Sequence, residues 1–158
     1  MTAVSPTHRL AELGITLPAV AAPVAAYVPA VRTGNYVWTS GQLPFVDGAL
    51  VATGKVGTGP GHVSPEAAAG LARVAALNAL AAVVEQAGSL DRVARVVKVV
   101  GYVASDPSFT GQPGVVNGAS ELIGEVFGAV GVHARSAVGV AVLPLDAPVE
   151  IELVVELG

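Results

Sequence analysis

From Val149 to Glu156 the chain alternates without a break. Val149, Ile151, Leu153 and Val155 stand at odd positions, and Glu150, Glu152, Val154 and Glu156 at even ones. Successive side chains of a β-strand point to opposite faces, so this segment reads as one strand with an apolar face and a largely acidic face. A slip of one residue would exchange the two faces, which specifies the register tightly. A second apolar run precedes it from His133, with a single arginine near its start, Arg135, and a Pro-containing turn at Leu143–Pro148 joins the two. Charged residues make up 13% of the chain, against roughly 25% in an ordinary domain. Charges set into β-branched strands of so charge-poor a chain call for a reason. An arginine fork can hold a carboxylate in two parallel hydrogen bonds, and a glutamate can orient or activate a water. The plainer alternative is an arginine on the sheet rim and glutamates on a wetted face. The local pattern does not choose between them.

Length and composition narrow the classes. At 158 residues a single domain is expected over 1–158, with 1–26 as an N-terminal helix and extended arm. Cysteine is absent, which removes disulfides, thiolate metal sites and cysteine nucleophiles. His8, His62 and His133 are scattered, with no metal-ligand spacing. The net charge of −4, without a Lys/Arg run, argues against a nucleic-acid groove, and few aromatics leave no stacking platform. The first residues lack the basic-then-apolar order of a signal peptide. No run of 18 residues is free of polar groups, so no membrane span is expected and a cytoplasmic location is. A mean hydropathy of +0.66 with so few charges suggests that part of the surface is hidden in an oligomer; an Ala-rich monomer would have the same composition.

Local patterns give an element order. Ser5 as cap, Pro6 at the first helical position, Leu10 and Leu13 on one side and Gly14 as terminator predict a short helix over 5–13. Residues 15–26 read as an extended arm. Tyr27–Val31 and Tyr36–Ser40 read as two strands around a Thr33-Gly34-Asn35 turn, and Asp47-Gly48 as a second hairpin turn. Residues 53–63 form a Gly-rich loop. Ser64-Pro65-Glu66 starts a helix whose stripe is Ala67, Leu71, Val74, Leu77, Ala81 and Val84, closed by Gly88. Val96–Val103 reads as a buried strand, 105–114 as a loop, and a second helix runs from about Val115 to Ala129, with Val116, Ile123, Val126 and Phe127 inward. Helices recurring between strands and covering one face of a mixed sheet predict an α+β sandwich. Ala137, Gly139 and Ala141 form a row of small side chains, fitted to a subunit contact or to crowding under a helix.

Two segments carry a family resemblance. Gly34-Asn35 is followed by Val37-Trp38-Thr39-Ser40-Gly41-Gln42-Leu43-Pro44, and Ala134-Arg135-Ser136-Ala137-Val138 leads through Leu143-Pro144 to Val149-Glu150-Ile151-Glu152. With these the chain resembles the RidA/YjgF reactive-intermediate deaminases, also called L-PSP endoribonuclease-like proteins. The N-terminal arm, Gly54-Lys55-Val56-Gly57 and Val116-Asn117-Gly118-Ala119-Ser120 resemble a longer branch of that superfamily. The resemblance implies a chorismate-mutase-like α+β fold with two main helices on one face of a mixed sheet. It also implies a homotrimer with clefts between subunits. It places the carboxylate-binding arginine at Arg135, the water-holding glutamate at Glu150, and cleft residues at Tyr27, Ser40 and Asn117. Gly41 and Ala137 join the substrate-binding set. Deaminase members usually carry cysteine where this chain has Ala137.

The implied function is hydrolysis of enamine or imine intermediates with a carboxylate, such as 2-aminoacrylate, to a 2-keto acid and ammonia. Neither cofactor nor metal is implied, since the imine is already electrophilic. A non-catalytic binder of small carboxylate metabolites is the alternative. An endoribonuclease is disfavoured by the acidic charge. Each residue also has a plainer role. Tyr27 suits an edge strand, Ser40 a turn hydroxyl beside Gly41, Asn117 a helix cap, Glu152 a structural or solvated position, and Tyr36 and Trp38 a core or an interface.

Overall fold

The computed structural model describes residues 4–23 and 25–158; Met1–Ala3 and Val24, part of the expected N-terminal segment and arm, lie outside the described residues. The fold is α+β. Helix α1 (Pro6–Glu12) comes first. Strands β1 (Ala30–Thr33) and β2 (Tyr36–Thr39) form a hairpin, followed by the small hairpin β3 (Phe45–Val46) and β4 (Ala49–Leu50). Helix α2 (Pro65–Ala87), strand β5 (Val93–Ala104), helix α3 (Gln112–Phe127), β6 (Ala134–Val140) and β7 (Val149–Leu157) complete the order. The main sheet runs β1-β2-β7-β5-β6, antiparallel except for the parallel β5–β6 pair.

The expected chemistry of starts and turns is present. Ser5 and Ser64 cap α1 and α2, accepting hydrogen bonds from the backbone N–H of His8 and Ala67, and a proline follows each cap. Asp47 and Gly48 both have positive φ, 51° and 81°, the conformation that a two-residue hairpin between β3 and β4 requires. Strand β7 alternates buried and half-buried along its whole length, with Val149, Ile151, Leu153 and Val155 against the helices.

Several boundaries and faces differ from the sequence reading. Tyr27 lies in a bend ahead of β1, not in a strand; the ladder with β2 begins only where Ala30 meets Thr39. Helix α3 starts three residues before Val115, because Pro113 belongs to its first turn, where the missing N–H costs nothing. Asn117 is therefore in the helix interior and not a cap. In α2 the deepest residues are Ala68, Ala72, Ala75, Ala76, Ala79, Leu80, Ala82 and Val83, one step around from the expected stripe. The helix is apolar on nearly every face, so periodicity could not select the inner one. Its length and composition would also allow it to cross a membrane, but 61% of that window is buried inside the fold.

Close helix packing rests on glycines. A Cβ on Gly118 of α3 would overlap the Ala69 carbonyl oxygen of α2, and backbone cannot step aside as a side-chain tip can. Gly118→Ala is expected to destabilise the fold by about 1–3 kcal/mol, the usual cost of overpacking. Chemical denaturation checks this, and an unchanged midpoint would contradict the close contact. The row of small residues on β6 has the same origin. Gly139 lies under Gln112, the first residue of α3, and Ala137 packs on the core. Crowding beside a helix accounts for these two residues; Ala141, the third of the row, lies beyond the end of β6 and is exposed.

Among the described residues no helix covers the other face of the sheet. Val31, Tyr36, Trp38 and Val138 are exposed, with Val100, Tyr102, Glu150, Glu152 and Val154 among them by register.

Candidate functional site

The expected site residues fall into two groups on opposite faces of the sheet. The first surrounds Arg135. On β6 it pairs with Val99 of β5, which pairs with Leu153 of β7. Paired residues share a face, so Arg135 is on the helix side. There its Nη1 donates to Asn117 Oδ1 at 2.8 Å and to Ser120 Oγ at 3.2 Å, and its Nη2 donates to the Pro113 carbonyl at 3.2 Å. Pro113, Asn117 and Ser120 are spaced four and three apart, which aligns them along one side of α3. All three acceptors are neutral. Among the described residues no carboxylate pairs with Arg135. A guanidinium has five N–H donors, so Nε–H and one Nη2–H are left for a ligand. Ala137, two residues on, is level with Gly101 of β5 on the same face.

The second group lines a shallow depression with Tyr27, Ser40, Gly41, Glu150, Glu152, Thr39, Ala25 and Pro144. Ser40 is at the end of β2, its backbone N–H bonded to the Pro29 carbonyl and its hydroxyl donating to the Val28 carbonyl at 2.6 Å. That hydroxyl thus pins the segment carrying Tyr27 to the sheet and bonds across the hairpin, not to its own backbone. Gln42 and Ile151 exchange two backbone hydrogen bonds, which brings Gly41 against Glu150. Any side chain at position 41 would collide with the Glu150 carboxylate. The loop beyond is held from below by the buried Asn78 of α2, whose amide donates to the carbonyls of Leu43 and Phe45.

Electrostatics set Glu150 apart. Burial raises its pKa above the usual 4.5, and the negative charge of Glu152 raises it further. Tyr102, level with Glu150 on β5, has its hydroxyl pushed up chiefly by hydrogen bonding to Glu152 and then by burial. A half-buried carboxylate of raised basicity beside an open depression is suited to hold a water and accept its proton.

One chain does not bring Arg135 and Glu150 together. Two strand spacings across and three residues along separate their Cα atoms by roughly 14 Å, and their side chains leave opposite faces. Glu152, expected in a structural or solvated role, lines the depression beside Glu150. The sequence reading missed two residues that stand behind Arg135, Ser120 and His133. The spacing of Asn117 and Ser120 and the two-residue step from His133 to Arg135 are the signals that could have found them.

Comparison with known proteins matches residues 7–157 to the family model described as YjgF/chorismate mutase-like, putative endoribonuclease. Protein TCP17 of Trypanosoma cruzi is 49% identical over 151 residues, covering 95% of this chain and 92% of its own. A 2-iminobutanoate/2-iminopropanoate deaminase of Dermatophagoides farinae is 35% identical over 141 residues, covering 89% and 93%. Among solved structures, Atu1372 of Agrobacterium tumefaciens superposes with a TM-score of 0.86 at 45% identity, over 97% of this chain and 92% of that one. E. coli TdcF, solved with serine bound, gives 0.64 at 26% identity, over 90% and 96%.

Proposed function

Because the chain belongs to the YjgF/chorismate mutase-like family, we propose that it hydrolyses small enamine and imine intermediates carrying a carboxylate, giving a 2-keto acid and ammonia. The observation that carries this reading is the pairing of two unlike groups. One is an arginine whose protein partners are all neutral; the other is a half-buried glutamate of raised basicity. Since they lie on opposite faces of one sheet, the working cleft takes Arg135, Asn117 and Ala137 from one subunit and Tyr27, Ser40, Gly41 and Glu150 from the next. A homotrimer would also cover the exposed Tyr36, Trp38, Val31 and Val138, an apolar surface of the kind that soluble chains bury on association.

In that cleft Arg135 binds the substrate carboxylate through its unused N–H groups. The enamine takes up a proton at carbon and becomes the protonated imine. A water held by Glu150 attacks the imine carbon, its proton passing to the carboxylate. Glu150 returns that proton to the nitrogen, ammonia leaves, and the hydroxyl releases its proton as the carbonyl forms, balancing the proton taken up at carbon. The chemistry asks for orientation and proton transfer, which these residues supply. The name of the Dermatophagoides farinae relative, a 2-iminobutanoate/2-iminopropanoate deaminase, and the serine on TdcF, a small amino acid with a carboxylate, agree with this ligand class.

Serine has no imine to hydrolyse, and this favours a second reading in which the cleft captures small carboxylates without turnover. The two part in one assay. Added to enzymatically generated 2-aminoacrylate, the protein is expected to speed release of ammonia and pyruvate, and Arg135→Ala to lose the effect. A rate equal to the uncatalysed one, with pyruvate still bound, would select the binder. Cleavage of RNA, which the family name evokes, is opposed by the net charge of −4.

A further inference from the structure

Behind Arg135 is a chain of hydrogen bonds that the proposed reaction does not use. His133 Nδ1 lies 2.6 Å from the Gly131 carbonyl oxygen. A carbonyl can only accept, so Nδ1 carries the hydrogen, and in the neutral ring Nε2 is left as an acceptor. Nε2 lies 2.9 Å from Ser120 Oγ, so the Ser120 hydroxyl donates to it. The lone pairs of that hydroxyl then face Arg135 Nη1 at 3.2 Å. Every bond points the same way, from Arg135 to Ser120 to His133 to the Gly131 carbonyl. Ser120 is half-buried and its single proton is committed, so it cannot turn its O–H toward the guanidinium.

The remaining bonds to Arg135 do not replace this one. Asn117 Oδ1 and the Pro113 carbonyl hold the guanidinium at two points, and both amide and guanidinium can swing about the line between them. The Ser120 bond is the third point and fixes the plane of the fork. That plane decides whether Nε–H and the free Nη2–H meet both oxygens of a carboxylate or only one. A flexible loop could not hold such a point, but Ser120 is on α3 and His133 is anchored to the backbone just before β6.

We propose that Ser120 and His133 are positioning residues for Arg135, through a one-way relay that sets the guanidinium plane for two-point binding of a substrate carboxylate. This rests on the reading of Arg135 as the carboxylate anchor. Neither residue touches the substrate; both act through the arginine.

The test separates carboxylate recognition from general damage. Pyruvate and its carboxamide are titrated calorimetrically into wild type, Arg135→Ala, Ser120→Ala and Ser120→Thr, beside thermal melts. Ser120→Ala is expected to weaken pyruvate binding roughly tenfold, the worth of a hydrogen bond to a charged group, while carboxamide binding and the melting temperature hold. Ser120→Thr, which keeps the hydroxyl, is expected to restore affinity. ¹⁵N spectra of the His133 ring are expected to show Nδ1 as the protonated nitrogen in wild type. Pyruvate binding lost in Arg135→Ala but kept in Ser120→Ala overturns the relay and leaves the anchor. An Nε2-protonated ring overturns it also, and equal loss for pyruvate and carboxamide marks Ser120 as merely structural. No pyruvate binding by wild type overturns both the relay and the anchor.

Discussion

Glu150→Gln is expected to cut imine hydrolysis by roughly 10²–10⁴-fold, the usual worth of general acid–base catalysis, while pyruvate affinity stays close to wild type. Glutamine keeps the shape and can still hold a water, but it cannot take the proton. In the wild type, activity is expected to rise with pH through a pKa above the usual carboxylate value of 4.5, because burial and then Glu152 favour the protonated form. The same shift fixes the sign of a stability effect. A carboxylate whose folded pKa is raised weakens the fold once it is ionised, and it costs nothing where both folded and unfolded forms are protonated. Glu150→Gln is therefore expected to be more stable than wild type at neutral pH. The gain should shrink as pH falls from the raised value and vanish below 4.5. Unchanged hydrolysis in an intact assembly would remove Glu150 from the mechanism, and a loss of stability at neutral pH would mark it as structural.

Arg135→Lys is expected to lose carboxylate binding although the charge is kept, at a cost on the order of 1–3 kcal/mol for hydrogen bonds to a charged group. Lysine presents a compact ammonium without a planar fork. It cannot reach Asn117, Ser120 and the Pro113 carbonyl while offering two parallel donors outward, as the guanidinium does here. Calorimetry with pyruvate measures the difference. Equal affinity would show that the anchor is elsewhere.

The parts of this molecule that sequence exposes are those governed by short-range rules. Alternation in β7 places Glu150 and Glu152 on one face and Val149, Ile151, Leu153 and Val155 on the other, as found. Ser-Pro pairs locate the starts of α1 and α2. Where composition blurs the pattern, the reading shifts. Alanine on all sides of α2 hides which side is buried, and Pro113-Gly114 looks like loop although both lie inside the first turn of α3. The site was legible only as a set of residues. Which of them meet depends on sheet order, a long-range property: β2 and β6 are separated by β7 and β5. The support for Arg135 was not legible at all. Ser120 and His133 are unremarkable as letters, and their roles come from the direction of hydrogen bonds between a helix and the start of an edge strand.

The proposed cleft is shared between subunits, and mixing two inactive variants tests that directly. Arg135→Ala and Glu150→Gln are each expected to be inactive and to have the mass of three chains by light scattering. If every cleft takes Arg135 from one subunit and Glu150 from its neighbour, trimers reassembled from an equal mixture have about one cleft in four with both residues intact, by the cyclic arrangement of three equivalent interfaces. Hydrolysis is therefore expected to return to about a quarter of the wild-type rate. A mixture as inactive as its parents, with subunit exchange verified by mass, would contradict the shared cleft, as would a monomeric mass at micromolar concentration.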